Sequence, residues 1–293
     1  MRYLIISNSC NMNCDHCYLK GNIMDDNVVT DFEKIQNNIL KDKPESIILY
    51  GYGEPLFNMN IKKLTSFCKV MVKNNIKMKL QTNLIYDLTE DHIELFKLLN
   101  IVKISFDIGI RYKSFGNLLK WFNNLKRISK VTNDILLEIT IHKQVVNKDA
   151  NKWNNFLNHL LDRGYIKKYM FHDIQYTGNA NIFNNRQLLE ISRDKFVPWM
   201  NTILSNNRKE NRTIDEFAHN HFFYKYNLFR EKVTIIGKDG NYYKDYIVDY
   251  LDNEDSKYTK NLHSDCLLCD NYNLCGGRSE NTECLWDKSF IQK

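Results

Sequence analysis

Arg2-Tyr-Leu-Ile-Ile-Ser7-Asn-Ser-Cys10-Asn-Met-Asn-Cys14-Asp-His-Cys17 is the stretch that decides how this chain is read. Leu4, Ile5 and Ile6 make a short β-prone run, and three cysteines follow it at C-x3-C-x2-C spacing. The run is too short for the apolar core of a secretory signal, so a reducing, cytoplasmic setting is expected. In that setting clustered thiols serve as metal or iron–sulfur ligands rather than disulfides. Three thiolates can hold three irons of a [4Fe–4S] cluster and leave the fourth iron open for another ligand. A structural zinc site needs four closed ligands, and a fourth is not obvious unless His16 serves. On spacing alone both readings stand.

Strand and helix patterns alternate outward from this stretch for about 180 residues. Strands are expected near 3–7, 46–50, 76–82, 102–107, 135–142 and 168–175. Between them, sets such as Phe32, Ile35, Ile39 and Leu40, or Leu118, Leu119, Phe122 and Leu125, have the spacing of one buried helix face. Six strands separated by helices imply parallel βαβ units with right-handed crossovers. Several strands are apolar on one face only. Val102, Ile104 and Phe106 oppose Lys103, Ser105 and Asp107; Ile135, Leu137, Ile139 and Ile141 oppose Glu138, Thr140 and His142; Ile76, Met78 and Leu80 oppose Lys79, Gln81 and Asn83. A flat parallel sheet covered on both sides would be apolar on both. A sheet curled around a polar cavity accounts for the alternation, because unpaired polar groups are costly to bury.

The pattern changes after residue 185. A helical stretch over about 187–205 leads to a charged segment and then to two β-prone runs joined at Asp239-Gly240, a hairpin signal. A cysteine-rich tail follows. The expected organisation is a catalytic α/β body over 1–185, a helical linker over 186–230 and a small accessory domain over 231–293.

Composition narrows the class further. Hydrophobic residues make up 43% and charged residues 26% of the 293, a balance that suits a folded globular protein. No apolar run reaches the length of a membrane span. Lys and Arg exceed Asp and Glu by 41 − 35 = 6, spread along the chain, which permits an anionic partner without demanding one. With few clustered Lys or Arg in the tail and no recognised motif, no nucleic-acid partner is expected. Cys68 sits in the apolar helical run Leu64-Phe67-Val70-Met71 and reads as an ordinary buried cysteine.

The cysteine triplet after strand one, together with the alternating strands, resembles the radical S-adenosylmethionine (SAM) superfamily. A Gly-Gly-Glu-Pro-like turn is expected after strand two, and Tyr50-Gly51-Tyr52-Gly53-Glu54-Pro55 stands there, with Tyr52 in place of the first glycine. Weaker matches are Gln81-Thr-Asn83, Ser105-Phe-Asp107 and Gly178. The resemblance implies an α/β fold: a partial (β/α)6 radical SAM barrel with a [4Fe–4S] cluster on Cys10, Cys14 and Cys17. The open iron would chelate the amino and carboxylate groups of SAM. Gly53, Glu54 and Pro55 would help to hold its amino group, so changes at Gly53 and Glu54 are expected to affect SAM affinity more than cluster assembly. Asn83, Ser105, Asp107 and His142 are candidates for ribose and methionyl contacts, and His16 could flank the adenine. An electron from the reduced cluster would then cleave the sulfonium, giving a 5′-deoxyadenosyl radical that abstracts a substrate hydrogen. An enclosed barrel keeps such a radical from solvent.

The tail, Cys266-x2-Cys269-x5-Cys275-x8-Cys284, resembles the SPASM/twitch-like extension of radical SAM maturases. Asp245 and Ser279 stand where that extension would have further cysteines, and no cysteine precedes Gly240 at the family's distance. One auxiliary [4Fe–4S] cluster on Cys266, Cys269, Cys275 and Cys284 is therefore expected, with a four-cysteine zinc site as the alternative. The resemblance implies hydrogen abstraction from a peptide or protein substrate, with an electron donor such as flavodoxin or ferredoxin as partner. Met1 lies at the edge of the first strand, so no leader-binding domain is expected before it. The alternatives are a small-molecule radical SAM dehydrogenase or rearrangement enzyme with a single auxiliary cluster, and a non-catalytic zinc- or nucleic-acid-binding protein.

Overall fold

The computed structural model describes residues 2–7, 9–17, 30–51, 53–132, 134–172, 187–209 and 233–245. Six strands run in parallel: β1 (Arg2–Ser7), β2 (Ser46–Gly51), β3 (Lys77–Thr82), β4 (Ile101–Phe106), β5 (Ile135–Thr140) and β6 (Lys168–His172). The helices between them are α1 (Phe32–Asp42), α2 (Ile61–Lys73), α3 (Glu90–Phe96), α4 (Phe115–Ile128), α5 (Lys143–Val146) and α6 (Ala150–Asp162). Strand order β6-β5-β4-β3-β2-β1 follows the chain, so each crossover returns the backbone to the adjacent position. The sheet does not close on itself, and the result is a partial barrel.

Local chemistry sets the helix starts. Asp31, Asn60 and Ser114 each accept a hydrogen bond from the amide three residues on, at 3.0, 3.1 and 3.2 Å. Asp149 does the same for the amide of Asn151 at 2.7 Å. These contacts satisfy donors that a helix N-terminus leaves open. The buried face of α1 is Ile35 and Ile39, and that of α2 includes Leu64, Phe67, Cys68 and Met71, all packed against the sheet. Burying each such side chain contributes about 1.5–3 kcal/mol.

The alternation expected along the strands is present. Val102, Ile104 and Phe106 are wholly buried beneath the helices, and Phe106 packs at a tilt against Trp121 of α4, 4.5 Å between ring centroids. On the opposite face of the same strands, Lys103 Nζ lies 3.4 Å from Glu138 Oε1 across β4 and β5. An ion pair between adjacent strands meets the demand that charges on a largely enclosed face be compensated.

The hairpin at Asp239-Gly240 forms as expected, from β7 (Val233–Ile236) and β8 (Tyr242–Asp245). Gly240 takes φ +75°, which a Cβ would strain. The hairpin continues the main sheet: β7 pairs in parallel with β1, Tyr3 with Ile235 and Leu4 with Ile236. Ile236 is wholly buried in the same core, and Asn38 of α1 donates to the Gly240 carbonyl at 2.7 Å. The reason is edge chemistry, since β7 satisfies the open backbone groups of β1. The helical stretch expected over 187–205 is realised as α7 (Arg193–Lys209). Among the described residues no helix is long and apolar enough to cross a membrane.

Candidate active site

Each strand of a parallel sheet ends at the same edge, so the loops after β1 to β5 gather at one mouth. The loop after β1 carries Cys10, Cys14 and Cys17, none of them in a disulfide; Cys14 is buried and the other two are half-buried. The Cys17 amide donates to the Cys14 carbonyl at 3.1 Å and turns the chain between those two thiols. Burial pushes the Cys14 thiol up to about 12, an effect opposed by the Arg111 guanidinium. Cys10 is raised as well, first by burial and further by Glu54 and Cys17. Ionising them together therefore needs a nearby cation.

The cysteine loop is latched to its neighbours. Glu54 N donates to the Ser9 carbonyl at 2.9 Å. Asn83 Nδ2 donates to Asn11 Oδ1 at 2.8 Å, and Asn11 Nδ2 donates to the Ile85 carbonyl. Gly53 is packed so close that a Cβ there would lie 2.1 Å from the Ser9 carbonyl oxygen and 3.0 Å from Cys10 Cβ. Beside its expected place in SAM binding, Gly53 thus sets the position of the cysteine loop itself.

Glu54 is buried, with both carboxylate oxygens engaged. Oε1 accepts from the Thr82 hydroxyl at 2.6 Å and Oε2 from the Asn83 amide at 2.6 Å. Burial pushes its carboxyl up to about 7, against the lowering by these donors. Pro55 is buried directly after it. Asn83 is held on both sides of its amide, by Asn11 and by the Ile85 amide. The Ser105 carbonyl accepts from the Tyr112 hydroxyl at 2.8 Å.

The ends of β4 and β5 bring together a second group. Asp107 is wholly buried; its Oδ2 accepts from Arg111 Nε at 2.9 Å and lies 3.6 Å from His16 Nε2. Arg111 Nη2 in turn lies 3.2 Å from His16 Nε2. Burial alone would raise the Asp107 carboxyl, but His16, Arg111 and His142 together hold it below the usual carboxylate range. His142 is wholly buried, and among the described residues neither ring nitrogen has a hydrogen-bond partner. Burial pushes its imidazole down to about 4, opposed by Asp107, so the ring is neutral at physiological pH.

Sequence reading does not single out Arg111, Thr82 or Asn11. The one local signal for Arg111 is its place four residues after Asp107. Cys68 is buried inside α2 away from this mouth, with its thiol pushed up by burial, as an ordinary core cysteine would be. Gly178, Tyr52 and the tail cysteines Cys266, Cys269, Cys275 and Cys284 lie outside the described residues.

A parallel α/β partial barrel with three thiols at its mouth defines a class of protein, and comparison with known proteins agrees. Residues 4–147 match the family model of the Radical SAM superfamily. This segment, just under half of the chain, carries the domain of that superfamily, whose members are enzymes that bind a [4Fe–4S] cluster and SAM. A stretch of 90 residues is 36% identical to an uncharacterised protein of Methanocaldococcus jannaschii, covering 28% of this chain and 30% of that one. The match therefore spans under a third of the curated relative's length. The fold resembles SuiB of Streptococcus suis bound to the precursor peptide SuiA, with TM-score 0.61, 13% identity, and coverage of 94% of this chain and 71% of that one. It also resembles anSMEcpe with bound AdoMet and the Cp18Cys peptide, with TM-score 0.62, 16% identity, and coverage of 98% and 92%.

The residues present fit the cluster that the family carries. Among the described residues no three His, Cys, Asp or Glu converge as ligands of a single ion. A cluster instead takes one thiolate per iron from a surrounding loop. The buried, unpaired nitrogens of His142 at the same mouth suit a polar ligand beside it.

Proposed function

We propose that this chain reductively cleaves SAM and abstracts a hydrogen atom from a peptide or protein substrate, as a maturase-type enzyme. The observation that carries this reading is the single loop with three cysteines outside any disulfide, pinned by Gly53 against the mouth of a partial barrel. Cys10, Cys14 and Cys17 would hold three irons of the cluster. When bound, the cluster and SAM supply the one-electron chemistry that generates a carbon-centred radical. The protein's own part is to hold, orient and shield. Glu54 would brace the Gly53–Pro55 turn that faces the amino group of SAM, since its carboxylate is already committed to Thr82 and Asn83. Asn83, Ser105, Asp107 and His142 would line the ribose and methionyl side, with His142 offering a neutral nitrogen to a hydroxyl.

A peptide substrate is supported by the fold's likeness to structures that hold peptides, SuiB with SuiA and anSMEcpe with Cp18Cys. It is also supported by the tail, where Cys266, Cys269, Cys275 and Cys284 would bind one auxiliary [4Fe–4S] cluster, or zinc in the alternative. The reaction needs a one-electron donor such as flavodoxin or ferredoxin.

Anaerobic reconstitution, iron counting and a 5′-deoxyadenosine assay with dithionite test the first half. Formation of 5′-deoxyadenosine supports the reading, and a fully loaded protein that leaves SAM intact overturns it. Co-expression with short peptides encoded beside the gene, followed by mass spectrometry, tests the second half. A mass change that depends on Cys10, Cys14 and Cys17 is the expected result.

A further inference from the structure

α4 starts at the same mouth as the cysteine loop and leaves an apolar pair in water. Phe115 is 78% exposed and Leu119, one turn on, is 46% exposed. The next turn brings Phe122, partly buried, with Lys126 Nζ 4.5 Å from its ring centroid. Elsewhere on this helix the large apolar residues Trp121, Leu125 and Ile128 are inside, as an amphipathic helix requires. The charge carried by this segment is weighted toward the positive. Residues 113–130 carry Lys113, Lys120, Lys126, Arg127 and Lys130 and no carboxylate. Three acids reach this segment from elsewhere: Asp15 at Lys113, Asp87 at Lys120 and Glu90 at Arg127. The segment with these partners still keeps an excess of two positive charges.

This patch is joined directly to the metal-binding loop. Lys113 Nζ lies 2.8 Å from Asp15 Oδ1, and Asp15 follows Cys14. Arg111 Nη2 touches His16, the next residue. Phe115 is two residues from Lys113, so a protein seated on it would sit beside the ligands of the cluster.

We propose that the exposed start of α4, centred on Phe115 and Leu119 and ringed by lysines, is the docking surface for an acidic one-electron carrier protein. The inference rests on the proposed activity, which requires an electron from outside. One electron passes from the reduced carrier to the oxidised cluster, with no atom transferred and no bond formed between the proteins. A small apolar centre beside a net excess of positive charge suits a transient acidic partner, because charge steers encounter and the small contact allows release. A second copy of this chain would bring the same cations to the same place, and like charges would oppose self-association.

The test uses the reconstituted holoenzyme with two probes, an acidic flavodoxin and an acidic [2Fe–2S] ferredoxin. Binding is measured at low and at physiological ionic strength, and cluster reduction is followed by its absorbance. The wild type is expected to bind at least one carrier, and more weakly as salt rises. Phe115→Ser with Leu119→Ser, and separately Lys120→Glu, should weaken binding and slow carrier-driven reduction by about tenfold or more. Iron content and reduction by dithionite should stay at wild-type levels, since these side chains lie outside the site. Equal binding by wild type and variants, binding of neither carrier, or binding only to anionic lipid vesicles would each overturn the proposal. Failure of dithionite to support SAM cleavage would instead refute the proposed activity, and the binding result would stand apart from it.

Discussion

The Glu54 carboxylate takes a 2.6 Å hydrogen bond from the Thr82 hydroxyl, and so joins the turn after β2 to the end of β3. A second bond from the Asn83 amide engages its other oxygen. An acid held this way is an internal strut, and Thr82 at the end of β3 lies 28 residues further along the chain.

The strut has a pH signature. Burial raises the Glu54 carboxyl from 4.5 in the unfolded chain to about 7 in the fold. Between these values the native state binds more protons than the unfolded state, so stability falls as pH rises through that window and levels off above it. The loss amounts to about 3 kcal/mol. Chemical denaturation of the apo-protein from pH 4 to pH 8, compared with Glu54→Gln, should show this falling component in the wild type alone. Parallel curves would mean that Glu54 does not titrate in the window.

His142 contributes the opposite slope. Its imidazole falls from 6.5 to about 4 on burial, so the unfolded chain binds more protons between those values. Stability from this group is present above pH 6.5 and is lost as pH falls toward 4. His142→Gln should remove that rise, again worth about 3 kcal/mol, while leaving the Glu54 component in place. Loss of both slopes in this variant would show that the two groups are coupled.

Gly53→Val should prevent cluster assembly as well as SAM binding. A Cβ at this position would meet the Ser9 carbonyl at 2.1 Å, and the backbone of the cysteine loop has to move to admit it. The measurement is iron per chain after reconstitution. A loss confined to the N-terminal site is expected, whereas normal iron with weakened SAM binding would confine Gly53 to the cofactor.

Cys10, Cys14 and Cys17 replaced together by Ala should abolish 5′-deoxyadenosine formation and lower the iron from about eight to about four per chain. The remaining iron would belong to the tail. Four irons and one zinc in the wild type would identify the tail as a zinc site, and undiminished SAM cleavage in the triple variant would refute the N-terminal assignment.

Arg111→Met should destabilise the fold by about 3 kcal/mol or more, because Asp107 is then a buried charge without its guanidinium. Asp107→Asn in the same chain should recover part of the loss. A double-mutant cycle by denaturant melting gives the coupling, and strictly additive effects would mean that the two side chains do not act as a pair.

The sequence by itself determined the order of strands and helices, the one-sided polarity of the strands and the thiol triplet. Each of these is written in a local spacing: period two for Val102, Ile104 and Phe106, and two or three residues between thiols. Arg111 against His16, 95 residues apart, could not be read that way, nor could Glu54 against Thr82 and Asn83. The pairing of β7 with β1, which makes the hairpin part of the main sheet, is of the same kind. These contacts depend on which strand ends the crossovers bring to one mouth and on the open edge that β1 presents. A side chain that pairs across such a distance carries no periodic mark in its own neighbourhood, and only the folded chain decides its partner.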